Sequence, residues 1–443
     1  MDGNSMLFIE EPNLAFGYGQ KTIDPRDGLI LFGPSTRGKI THASIGVIGT
    51  EEGRQRLIRW LQRIQRPIFG TDDKIARPFY PGLESAFSFE LSFESIVQIN
   101  VEQTELDTYL RYTDSHQRVH NLVNVFVDKL IRYKREEEEP ALVWFVVIPD
   151  KIYTYGRPKS AIPKSEDNIK IGIKNKYSRT APSLFPEFAE LQEAYKYEIN
   201  FHSQLKAKLL KDGIVTQIVR ESTIAYRDFQ IDGKPIRDLE KFESAIAWSI
   251  STSLYYKTGG LPWKLGEIRE GVCYVGLVYK KYEKEEKNAC CAAQMFLDSG
   301  DGLVFRGNVG PWYNPDTKEF HLSEESAYQL LDKALKTFLE KNGKHPDEIF
   351  IHAKTYFDKD EWTGFEAAAK NKSKVIGVRI RNENTFKLYR EFTYPVPRGM
   401  VCVIDGRNAY LWSKGFVHRI QTVFGLETPN LVPPIKIGPT LPL

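Results

Sequence analysis

Cysteine is scarce: the 443 residues hold four thiols, Cys273, Cys290, Cys291 and Cys402, with one adjacent pair and no C-x-x-C spacing. That excludes a disulfide framework and a cysteine-based zinc site, and fits reduced, buried thiols in a cytosolic protein. A surplus of one charge is missing too. Lys and Arg number 61 against 58 Asp and Glu, a net charge of +3. This is far from the bulk basicity of a protein that coats nucleic acid, so any nucleic-acid site has to be a local groove. No apolar run approaches the ~18 residues of a membrane helix, and Met1 to Pro12 lack the charged-then-apolar pattern of a secretion signal. No membrane partner is expected, and a cytoplasmic location is. Internal repeats are lacking as well. What remains is an ordinary globular composition, 41% hydrophobic and 27% charged, with length for two to four domains and ample core.

Strand and helix patterns alternate through the first part. Ala43 to Gly49 is a short apolar strand, Thr50 an N-cap, and Glu51 and Glu52 open a helix through Trp60 and Ile64. Val119, Leu122, Val123, Phe126, Leu130 and Ile131 share one face of a helix over His116 to Tyr133. A charged turn, Lys134 to Pro140, leads to the continuously apolar Ala141 to Pro149. A strand apolar on both faces belongs in a sheet covered on both sides, which makes this half an α/β sandwich. Residues 151–200, rich in Lys, Ser and Pro, are expected to be a long loop.

Gly33-Pro-Ser-Thr-Arg-Gly-Lys39-Ile40 nearly matches a phosphate-binding loop, but Ile40 stands where a magnesium-holding Ser or Thr is needed. The stretch from Phe201 to Gln217 is more informative. His202 and Lys206 are spaced to share one face of a helix. Gly213 has the chemistry of a left-handed helix stop, and Ile214 to Val219 is a strand carrying Gln217. Phe242, Ile246, Ile250 and Leu254 define a further helix that ends at Lys257. Two cations, an imidazole and an amide could converge on one anion, and a terminal phosphate suits such a cluster.

From about residue 265 come two strands, Gly271 to Tyr279 and Ala289 to Leu297, joined by the charged Lys280 to Lys287. A helix capped by Ser323 and stopped by Gly343 follows, then the strand Glu348 to Ala353, a helix from about Trp362 to Lys370, and the strand Val375 to Ile380. Strands first, then helix, strand, helix and strand, is the order of an RNase H-like fold. Asp405-Gly406 marks a hairpin between Met400 to Ile404 and Asn408 to Trp412.

The runs FHSQLKAKLLKDGIVTQIVRES and AIAWSISTSLYYKTGGLPWKLG resemble the MID domain of Argonaute proteins. The opening, FIEEPNLAFGYGQKTIDPRDGLILFGP, is similar to that of short prokaryotic Argonautes. GVCYVGLVYKK, NACCAAQMFLDSGDG and GNVGPWYNP resemble those paired with a TIR-APAZ protein in SPARTA-type defence. The resemblance runs from Phe8 to about Asn430. It implies a Rossmann-like MID domain with an N-terminal extension over 1–264 and a PIWI domain over 265–443. It also implies no N or PAZ domain and a C-terminus shorter than in the family. It assigns His202, Lys206, Gln217 and Lys257 to the guide 5′ phosphate, with Mg2+ at that phosphate as the cofactor to consider.

Active PIWI domains carry Gly-x-Asp on the first strand; here Gly276-Leu277 is followed by Val278. The acidic residue expected two positions after His352 is replaced by Lys354. A two-metal nuclease needs carboxylates at both places, so no catalytic metal and no cleavage are expected, and His352 is structural. The alternative, a guided nuclease of RNase H type, fails on the same two residues. The resemblance further implies a guide RNA, a single-stranded DNA target from invading plasmid or phage, and a heterodimer with a TIR-APAZ protein, a sirtuin-like APAZ protein being the alternative. The NADase activity would reside in that partner, with a higher oligomer forming on target binding. Lys280 to Lys287 and Gly310 to Pro315 are the loops expected to report target arrival.

Overall fold

The structure, a computed structural model, describes residues 6–38, 42, 44–70, 78–137, 141–179, 181, 185–281, 288–297, 302–383, 385, 387–389, 396–417, 431–432 and 435–439. Residues 39–40 of the Gly33 motif, 138–140 of the charged turn, the reporter segment 282–287 and residues 428–430 lie outside this set. The chain divides into two compact units, one of residues 29–262, the other of 1–28 with 263–443.

In the first unit, β1 (Ile45–Gly49), β2 (Val97–Asn100), β3 (Val143–Ile148) and β4 (Val215–Arg220) form a parallel sheet in the order β2-β1-β3-β4. Every residue of β1 and β3 is buried, as two covered faces require. On one face Trp144, Val146 and Ile148 share a core with α2 (Ser115–Glu136) and α4 (Phe201–Leu210). Val143, Phe145 and Val147, on the opposite pleat, are equally buried. Trp144 lies over Gly46, where a Cβ would meet its ring at 2.4 Å. Thr50 caps α1 (Glu51–Arg63) by accepting from Gly53 N at 3.2 Å, and Asp114 caps α2 through Gln117 N at 3.0 Å.

One expectation for this unit needs correction, and the discounted Gly33 motif gains a second objection. Residues 151–200 are not one loop: α3 (Asp150–Tyr155) and the helix Pro186–Glu193 form there, both shorter than the window over which apolar periodicity can be read. The Gly33 motif follows a helix, Pro25–Phe32, rather than a strand, so the strand-loop-helix setting of a phosphate-binding loop is absent.

The second unit holds a nine-stranded sheet among the described residues. One end of it is β5 (Val272–Lys281), β6 (Ala289–Phe296) and the edge strand β7 (Gly302–Gly310), an antiparallel meander, with β8 (Glu348–Ala353) parallel to β5 and β9 (Lys374–Asn382) parallel to β8. α6 (Glu324–Asn342) and α7 (Lys359–Ala369) make the two crossovers. The order β7-β6-β5-β8-β9 is the one the RNase H-like expectation requires. Leu330, Leu331, Ala334 and Phe338 of α6 and Phe365 and Ala368 of α7 share a core with the inward residues Cys273, Val275, Ala293 and Met295.

Residues 1–28 were expected with the first domain but group with the second. The physical cause is strand pairing: Met6–Phe8 runs antiparallel to β10 (Met400–Val403), Met6 opposite Cys402 and Phe8 opposite Met400. β10 in turn pairs with β11 (Ala409–Leu411), the expected Asp405-Gly406 hairpin. The Gly310 to Pro315 loop is more ordered than expected, since Tyr313–Asn314 pairs with Glu319–Phe320.

Candidate phosphate-binding site

The site is built on one edge of the first unit's sheet. α4 starts at Asn200, whose side chain accepts from Ser203 N at 3.1 Å. It buries Phe201, Leu205 and Leu209, which turns His202 and Lys206, one turn apart, toward solvent. Gly213 follows at φ +61, the left-handed stop its residue type allows. The chain then returns as β4, where Gln217 stands opposite Phe145 of β3.

Lys257 is the last residue of α5 (Glu243–Lys257), where the negative end of the helix dipole favours a cation. Its ammonium donates to Thr216 O at 2.8 Å and to Gln217 Oε1 at 2.5 Å. Burial, and then the Lys206 charge, push the Lys257 amine down from 10.5 to about 8. Burial likewise lowers the His202 imidazole, with Lys206 and Lys257 adding to the effect. Gln217 is thus bonded to Lys257 and shares a cavity wall with His202, while Lys206 is near enough for its charge to act on His202 and Lys257. The Lys206 charge acts on both the His202 and the Lys257 groups, and an anion bound beside them would oppose it.

Beside them opens a cavity of about 630 Å³ whose wall includes His202, Gln217, Arg157, Arg220, Thr223 and Arg237. Lys206 and Lys257 lie off that wall and reach His202 electrostatically. The sequence reading missed three arginines and a tyrosine here. Arg157 and Arg220 both lie over the Tyr153 ring, at 3.6 and 4.4 Å from its centroid. Arg220 also pairs with Asp150, which accepts from Ser222 N at 3.1 Å and Ser222 Oγ at 2.7 Å. Arg237 donates to Thr223 Oγ1 at 2.7 Å. Tyr153 sits on α3, inside the stretch expected to be a loop, so no periodicity marked it. A phosphate would find several charge-assisted donors here, and a planar base an aromatic ring beside two guanidinium planes.

In the second unit Val278 is 61% exposed on β5, opposite Ala292 of β6. Gly276 is level with His352 of β8, the last pair of that parallel register, and Lys354 follows the end of β8. His352 lies near the Tyr274 ring, at 6.0 Å between centroids, and burial lowers its imidazole. The carbonyl of Lys354 accepts from Arg379 Nε at 3.3 Å. Of the two reporter segments, Lys280 and Lys281 end β5, and Tyr313 and Asn314 belong to the small hairpin.

Fold and site together define a two-unit α/β chain with a cationic pocket at the edge of a parallel sheet. The fold is that of Argonaute. It is similar to Clostridium butyricum Argonaute bound to a guide DNA and a 19-mer target DNA, at 15% identity and TM-score 0.60, covering 99% of this chain and 47% of that one. A. aeolicus Argonaute follows at 13% and 0.52, covering 98% and 46%. Marinitoga piezophila Argonaute in complex with a 5′ OH guide RNA matches at 12% and 0.50, covering 98% and 51%. The chain thus spans about half the length of the Argonautes it matches. No protein-family model and no curated protein matches it. Among the described residues no helix is long and apolar enough to cross a membrane.

Proposed function

We propose that this chain recognises nucleic acid through a guide strand whose 5′ phosphate is held by His202, Lys206, Gln217 and Lys257. The observation that carries this reading is the convergence of those four side chains, from two helices and one strand, in a chain with an Argonaute fold. A base next to that phosphate would find the Tyr153 ring and two guanidinium planes in the adjoining cavity wall. Mg2+, if bound at the phosphate, would neutralise charge there; the residues present supply mostly cations, which suit the phosphate better than the metal.

In the finer reading the chain is a short prokaryotic Argonaute of MID and PIWI domains that loads guide RNA and recognises single-stranded DNA in the cytoplasm. Val278 and Lys354 support catalytic silence, because valine has no ligand atom and lysine repels a cation. A silent sensor needs an effector, and the sequence resemblance makes that effector an APAZ-containing partner with a TIR NADase. The decisive measurement compares 5′-phosphorylated and 5′-hydroxyl RNA of one sequence. Tighter binding of the phosphorylated strand is expected, and equal affinity would sink the assignment.

A further inference from the structure

His321, Asp358 and Glu361 lie in the second unit, where His321 N donates to Trp312 O at 2.9 Å. Glu361 is 1% exposed, and its two oxygens are used unequally. Oε1 accepts from Tyr279 OH at 3.0 Å and Leu322 N at 2.8 Å, whereas Oε2 faces His321 Nδ1 at 3.0 Å. Asp358 is divided in the same way. Its Oδ1 caps α7 by accepting from Glu361 N at 2.8 Å, and its Oδ2 is 3.8 Å from His321 Nδ1. On the far side of the imidazole, Glu319 Oε2 lies 3.6 Å from Nε2.

We propose that His321 Nδ1, Asp358 Oδ2 and Glu361 Oε2 bind a divalent first-row transition-metal cation, with water completing its shell. The three ligand atoms lie within 4.8 Å of one another. Bonds of about 2.1 Å to one cation set neighbouring ligand atoms roughly 3 to 4 Å apart, and both measured imidazole-to-carboxylate separations fall in that range. Each carboxylate commits one oxygen to the fold, so the spare oxygen is held toward the common point by the capping and turn bonds themselves. Glu319 Oε2 lies on the Nε2 side, where a ligating histidine's outer carboxylate stands, so that with a metal at Nδ1 the imidazole proton would sit on Nε2. One imidazole, two carboxylates and water suit Mn2+ or Zn2+. The His321 and Asp358 side chains, 23% and 45% exposed, leave a path from solvent. A bound cation would tie the start of α7 to the segment that leads into α6, where a proton shared between His321 and Glu361 would make one bond only.

The test is Mn2+ titration of the metal-stripped, nucleic-acid-free full chain, read by loss of the free ion's electron paramagnetic signal. Thiols bind Mn2+ poorly, so the four cysteines do not confuse the count. One saturable Mn2+ per chain is expected. Asp358→Asn keeps the capping Oδ1 acceptor and loses only the spare carboxylate oxygen, and His321→Ala removes the imidazole. Each should weaken binding about tenfold or more, with Glu319→Gln weakening it less. No saturable binding would show a plain hydrogen bond and overturn the site, as would Mn2+ affinity unchanged in Asp358→Asn.

Discussion

Lys257 sets the charge of the phosphate pocket, and its depressed amine makes guide binding depend on pH in a stated direction. In the free protein the ammonium is present below about 8 and lost above it. A bound phosphate favours the charged form and raises that value, so binding above 8 has to take up a proton. The phosphate gains its second charge above about pH 6. Affinity for a 5′-phosphorylated guide should therefore peak between about 6 and 8 and fall as pH rises further. Dissociation constants measured from pH 6 to 10 check this; a profile flat through 8 would separate Lys257 from the phosphate. Lys206→Ala should weaken the phosphorylated guide about ten- to a hundredfold and leave the 5′-hydroxyl strand nearly unaffected. At this scale the four predicted residues were legible because a helix, its glycine stop and the next strand lie within one short run of sequence. Arg157 and Arg237 were not, because they reach the cavity from segments far apart in the chain and follow no period.

Among the elements, β3 is the one the first unit's packing turns on, since Trp144 occupies the space that Gly46 leaves in β1. Gly46→Ala forces a methyl group into that ring and should cost about 1–3 kcal/mol by overpacking. Thermal unfolding of the variant reads this directly, and an unchanged midpoint would mean that the sheet yields at no cost. The elements that could be read from sequence are those with long periodic patterns or clear caps, such as α2 behind Asp114 and α6 between Ser323 and Gly343. Those that could not are the short ones. α3 and the Tyr313–Asn314 with Glu319–Phe320 hairpin hold their shape through tertiary contacts, which local propensity does not record.

For the whole molecule, the proposed sensor role makes two separable claims. With Val278 and Lys354 in the places of metal ligands, guide-loaded protein should leave RNA and DNA targets intact in Mg2+ or Mn2+. A single cut opposite the middle of the guide, in a nuclease-free preparation, would restore the nuclease reading. A chain without catalysis can signal only through contacts that differ between its guide-loaded and target-bound states. NAD consumption by the co-expressed partner pair should accordingly rise when complementary single-stranded DNA joins the guide RNA. The same rate with guide alone would make this chain a scaffold.

The pairing of Met6–Phe8 with β10 also sets a timetable for synthesis. Residues 29–262 can close their own core while the ribosome is still adding the remainder, because domains fold as units, amino-terminal first. Met6–Phe8 has no partner strand until residue 403 has left the exit tunnel. Three apolar residues, each about half exposed even in the finished fold, thus spend most of translation uncovered. Met6–Phe8 is therefore placed long after it is made, and chains stalled before β10 should be the ones that chaperones and proteases meet.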